Sequence, residues 1–165
     1  MTTIRPEPFG EALKRHLCGW AQSNGLEEHL ELERGRPWVL KEEQRKRNLY
    51  REGWWRLVEG YEHQWVRALN SSQCFGVNLF AMLADDPPAA NRFLRKLLPA
   101  RGIAEGDHVR VVFENSPKGV PARIGERGQP TQIDVVFTVS RERRLYGVIG
   151  IEVKLSEKEF GPCRG

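Results

Sequence analysis

Two stretches near the end of the chain, Thr131–Val139 and Tyr146–Leu155, constrain the fold more than any others. Both are rich in Val and Ile, and in an extended chain successive side chains alternate between two faces, so each reads as a strand. Ile133, Val135, Phe137 and Val139 then share one face of the first strand, and Ile149, Ile151, Val153 and Leu155 share one face of the second. Burying those faces turns Asp134, Glu152 and Lys154 to the opposite side. A polar turn centred on Arg143 makes an antiparallel hairpin with Asp134 opposite Glu152, because directly opposed residues share a face and their numbers keep an even sum. Three charges set between hydrophobic flanks cost free energy unless something neutralises them.

A divalent cation would do so. Two carboxylates on adjacent strands are hard oxygen ligands suited to Mg²⁺, which completes its shell with waters and a substrate phosphate. Glu114 ends the preceding predicted strand, His108–Glu114, and is a candidate third acid; the alternative is a plain surface acid. An acid followed on the next strand by Glu-x-Lys, inside a hydrophobic hairpin, resembles the active-site signature of the PD-(D/E)XK nuclease superfamily, the restriction-endonuclease-like fold. The matching residues are Asp134, Glu152 and Lys154. The resemblance implies a nuclease that uses Mg²⁺ or Mn²⁺ to hydrolyse phosphodiester bonds of DNA. Asp134, Glu152 and the carbonyl of Val153 would hold the ion, and Lys154 would orient a water or stabilise the transition state. It implies too that the helix before the strands contributes a polar residue, for which Gln73 is the first candidate. A solvated Gln73 behind a helix cap made by Ser71 or Ser72 is the other reading.

The 165 residues, 39% of them hydrophobic, suit one domain with a real core. The expected class is α/β, or α+β, with helices packed on a small mixed sheet. Residues 1–69 read as a helical N-terminal region and 70–165 as the nuclease-like core. A net charge of +4 favours polyanionic partners without requiring them. Three widely spaced cysteines build neither a disulfide framework nor a four-cysteine metal site, which fits a reducing cytoplasm. No apolar run approaches membrane-spanning length, and the first residues lack the apolar centre of a signal peptide.

Upstream, the spacing predicts helices over about 8–32, 41–68 and 70–83, and another after Pro87 and Pro88. Pro37–Leu40 reads either as a strand or as the anchor of the helix that follows. The 41–68 stretch joins Leu49, Tyr50, Trp54, Trp55, Leu57, Val58, Tyr61, Trp65 and Val66 at helical spacing to a basic run with Arg45, Lys46, Arg47 and Arg51. It is an amphipathic helix with an aromatic core face, or a surface that follows a phosphate backbone and stacks unpaired bases. Lys118, Arg141, Arg143 and Arg144 are further candidates for holding DNA, and otherwise solvated loop charges. The expected core is Phe75, Leu79, Phe80, Val111, Phe113, Val135, Phe137, Ile149, Ile151 and Val153, with Leu94 and Leu98 at its edge.

The superfamily continues with a helix and a strand after Glu-x-Lys, whereas only Ser156–Gly165 follow here, with Gly161 and Pro162 against a helix. The expectation is therefore a truncated core: the chain is a fragment, another chain, a partner or a second copy, completes the sheet, or an upstream helix substitutes. The competing function is a non-catalytic nucleic-acid-binding module or an inactive nuclease fragment. A third reading is a structural protein in which Glu152 and Lys154 pair with each other.

Overall fold

In a computed structural model, residues 7–113 and 133–155 are described. The first described element is helix α1 (Phe9–Ser23), shorter than the helix expected to about residue 32. Asn24 and Gly25, the latter at φ 66°, end it, and Leu30–Glu31 (β1) instead pairs antiparallel with Arg36–Leu40 (β2). Pro37–Leu40 is thus strand, and Val39 also bridges to Ala68.

The single helix expected over 41–68 is replaced by two short 3₁₀ helices, Glu42–Asn48 and Glu52–Leu57, followed by turns. The Asn48 side-chain amide donates to the carbonyls of Val66 (2.9 Å) and Ala68 (2.7 Å). In a straight α-helix residues 48 and 66 would stand about 27 Å apart, so this closure is incompatible with one. Gly60, at φ 84°, lets the chain turn back. The neighbours Trp54 and Trp55 both enter the core, and Arg51 and Arg45 lie over their respective rings at 5.4 and 5.1 Å.

Helix α2 (Ser72–Asp85) is capped by the Ser71 hydroxyl, which accepts from the Cys74 amide at 3.3 Å. Asp86 caps α3 (Pro87–Leu97) through the Ala89 amide, and the prolines occupy the first turn. Strands β3 (His108–Phe113), β4 (Val135–Arg141) and β5 (Arg144–Ile151) then form a sheet in that order. The class is α/β as expected. The described strands all pair antiparallel, so the mixed sheet is corrected: β4 and β5 are joined by a two-residue turn, and a parallel pair needs a long crossover.

α2 and α3 cover one face of this sheet. Phe80, Phe93 and Phe137 meet there with centroids 5.8–6.0 Å apart, and Val77, Leu94, Val109, Val135 and Val139 are almost wholly buried around them. Trp54, Trp55, Val58 and Val66 belong to the same cluster. Leu94 is central rather than peripheral. Phe75 and Leu79, expected inside, are 39% and 51% exposed. α2 is apolar around most of its circumference, so periodicity could not choose its inner face. Gly76 decides it: a Cβ there would lie 3.2 Å from Val153, so the small-residue side faces the sheet. Ile149 and Ile151 are half-buried against the core, and Ile133, expected on the core face, lies against Gly150 instead. Among the described residues, no helix is long and apolar enough to cross a membrane.

Candidate functional site

The three charges lie at the open end of the β4–β5 hairpin, Asp134 just before β4 and Glu152 and Lys154 just after β5. Val135 opposes Ile151, Phe137 opposes Ile149 and Val139 opposes Gly147, all with the even sum that would set Asp134 against Glu152. The expected bulge-free hairpin is corrected at its other end, where a bulge between Val139 and Ser140 shifts the register and moves the turn to Glu142 and Arg143. The bulge is remote from Asp134, and the paired register ends beside it at Val135 and Ile151.

Asp134 is buried, 8% exposed, immediately before β4. Its Oδ2 accepts the backbone N–H of Val153 at 2.5 Å, which ties the start of β4 to the residues just after β5. Val153 itself packs on Gly76 of α2. On either side of it, Glu152 and Lys154 reach the surface and form an ion pair of 2.8 Å. Burial pushes the Asp134 carboxyl above its ordinary pKa, and the negative charge of Glu152 pushes the same way. The Val153 amide, Lys154 and His63 act against that rise. The structure therefore sets Asp134 beside the segment that carries Glu152 and Lys154, and His63, which sequence reasoning had not singled out, acts on Asp134 electrostatically. His63 is remote in sequence from the hairpin and lies in a stretch whose spacing suggested a helix.

Ser71 makes the helix cap, but Gln73 is not solvated. It is 3% exposed in the first turn of α2; its Nε2 donates to the carbonyl of Tyr61 (2.9 Å), and its Oε1 accepts the N–H of His63 (3.0 Å). Both ends of its amide are thus engaged with the loop that carries His63.

The basic candidates divide by what already holds them. Arg141 is bound to Asp107 through Nε and Nη2, both at 2.8 Å, and donates also to the Gly102 carbonyl. That guanidinium, ahead of the Ala104 amide, holds the Asp107 carboxyl down to about 2. Arg45 pairs with Glu42 and Arg47 with Gln44, while Lys46 is exposed. Arg51 faces Trp54, and Arg143 and Arg144 lie exposed at the β4–β5 turn. Glu114 and Lys118 lie outside the described residues.

Among the described residues, no cluster of three or more His, Cys, Asp or Glu suited to a metal ion is found. Two carboxylates still fit Mg²⁺, which is commonly held by one or two together with substrate phosphate. A cation would offset both the burial of Asp134 and its repulsion from Glu152.

Comparison with known proteins yields no match among curated proteins and none among solved structures. One family does match, described as restriction endonuclease associating with ARP, over residues 27–165. That span includes the N-terminal hairpin, the turns that carry His63, α2, α3 and the three-stranded sheet with Asp134, Glu152 and Lys154. The chain belongs to this restriction-endonuclease family.

Proposed function

We propose that this protein is a metal-dependent nuclease of the PD-(D/E)XK type that hydrolyses phosphodiester bonds of DNA. The observation that carries the reading is the placement of Asp134. A buried carboxylate, disfavoured by burial and by Glu152, stands beside a Glu–Lys pair on the hairpin of a restriction-endonuclease family member. Such an arrangement is costly for stability and suited to chemistry. Asp134 and Glu152 would hold Mg²⁺ or Mn²⁺, which supplies Lewis acidity and a more acidic water when bound. Lys154, kept 2.8 Å from Glu152, would provide positive charge where negative charge grows on the phosphoryl oxygens. In the hydrolysis, a water oxygen bonds to phosphorus and gives up a proton as the P–O bond to the leaving sugar oxygen breaks, and that leaving oxygen takes up a proton.

A second reading is favoured by β5. Among the described residues it pairs with β4 alone, and Leu145, Tyr146 and Val148 are 54%, 48% and 41% exposed. An open strand edge is a template for another chain. The family's description names an association with ARP, so a non-catalytic module acting through a partner is the alternative.

A nicking assay on supercoiled plasmid separates the two. The nuclease reading requires nicking with Mg²⁺ or Mn²⁺ and none in EDTA. Asp134→Asn and Lys154→Met should each slow it by about a hundredfold or more while leaving salt-sensitive DNA binding largely intact. DNA binding by a wild type that never nicks would establish the binding module instead.

A further inference from the structure

Residues 61–65 combine a fixed backbone with exposed rings. Tyr61 N–H donates to the Val58 carbonyl at 2.9 Å, and Val66 N–H donates to the His63 carbonyl at 2.9 Å. Gln73 binds the Tyr61 carbonyl and the His63 amide from its buried position. The Val66 carbonyl accepts from Asn48 Nδ2 and from Cys74 Sγ. The loop is therefore pinned to the first turn of α2, yet Tyr61 remains 51% and Trp65 53% exposed, with His63 exposed between them. Trp54 and Trp55, from the same aromatic stretch, are buried.

This loop is anchored about one helical turn from the place where α2 meets the neighbours of the candidate site. Gln73 and Gly76 lie three residues apart on α2, about one helical turn. Gly76 faces Val135 and Val153, the immediate neighbours of Asp134 and of Glu152 and Lys154.

We infer that residues 61–65 form the nucleotide-contacting wall of the site, with Tyr61 and Trp65 stacking on unpaired bases next to the phosphodiester that Asp134, Glu152 and Lys154 face. The inference rests on the nuclease reading and narrows its substrate to single-stranded or locally opened nucleic acid. Aromatic rings stack on base faces, which a closed duplex hides between its base pairs. A pre-set backbone suits this role because little ordering entropy is lost on binding.

The test measures binding of the full chain, in EDTA, to a short labelled single-stranded DNA and to the duplex of the same sequence. Tyr61→Ala and Trp65→Ala should each weaken single-strand binding by about tenfold or more. Duplex binding should be unchanged, and Tyr61→Phe and Trp65→Phe, which keep a ring, should retain most of the single-strand affinity. Tryptophan fluorescence should be quenched by the single strand in the wild type and much less in Trp65→Ala. Undiminished single-strand binding by the alanine variants overturns the inference, as does equal loss on both DNAs or a wild type that ignores single strands; the rings would then serve a protein partner. Plasmid nicking is scored separately. Metal-dependent nicking with ring-independent binding defeats the wall alone, whereas ring-dependent binding without nicking keeps the wall and defeats the nuclease reading.

Discussion

Gln73 shows how much one polar side chain can hold when it is buried. Its amide donates to one backbone carbonyl and accepts from one backbone N–H, so a turn with no regular ladder is satisfied from a helix. Leucine has similar bulk and neither function. Gln73→Leu should therefore destabilise the fold by about 1–3 kcal/mol, the cost of leaving such groups unpaired, with a lower urea midpoint and an unchanged m-value. An undisturbed midpoint would show that water satisfies the Tyr61 and His63 groups equally well. The same pair of bonds explains why His63 escaped the sequence reading. Nothing local in Tyr61–Trp65 announces a partner on α2, whereas Asp134, Glu152 and Lys154 stand out within a few residues of hydrophobic strand.

At the level of elements, the β4–β5 hairpin carries the site at its open end and closes with a turn of unfavourable composition. Glu142 and Arg143 have φ values of 49° and 65°, a region that disfavours residues with a Cβ and that two-residue hairpin turns normally fill with Asn-Gly. Replacing the pair by Glu142→Asn with Arg143→Gly should stabilise the protein by roughly 0.5–1 kcal/mol, read as a higher Tm with unaltered DNA binding if Arg143 makes no backbone contact. A fall in Tm would mean that the native side chains contribute more than the strain costs. The hairpin's inner register was legible because its Val and Ile alternate with period two, and a slip of one residue would have turned Phe137 to solvent. The bulge at Val139 was not, since it arises from fitting this turn to strand twist and leaves no mark in composition. The long helix expected over 41–68 failed for a comparable reason: its spacing matched a helix, but burying adjacent Trp54 and Trp55 and closing Asn48 onto Val66 stabilise a folded-back chain instead.

Across the whole molecule, Asp107 ties elements distant in sequence. Asn91 of α3 donates to the carbonyls of Ala104 and Asp107, the Asp107 carboxylate accepts from the Ala104 amide, and Arg141 at the end of β4 clamps that carboxylate. Its pKa, held down to about 2 by Arg141 and Ala104, lies below the ordinary value near ~3.9. The carboxylate therefore contributes stability that is fully present above about pH 4 and is lost as pH falls through about 2. Asp107→Asn should flatten the acid limb of a Tm-against-pH curve in that window; an unchanged limb would assign acid unfolding to other groups. What the sequence by itself determined is what short periods encode: the three final strands, a serine cap before α2, and the prolines in the first turn of α3. Tertiary structure alone decided which side of α2 is inside, because Phe75, Leu79, Cys74 and Val77 are all apolar and only the close approach of Val153 to Gly76 distinguishes them. It also decided that Arg141 serves Asp107 and that Gln73 holds the loop of Tyr61 and His63, since both depend on distances between segments, and local pattern carries no information about those distances.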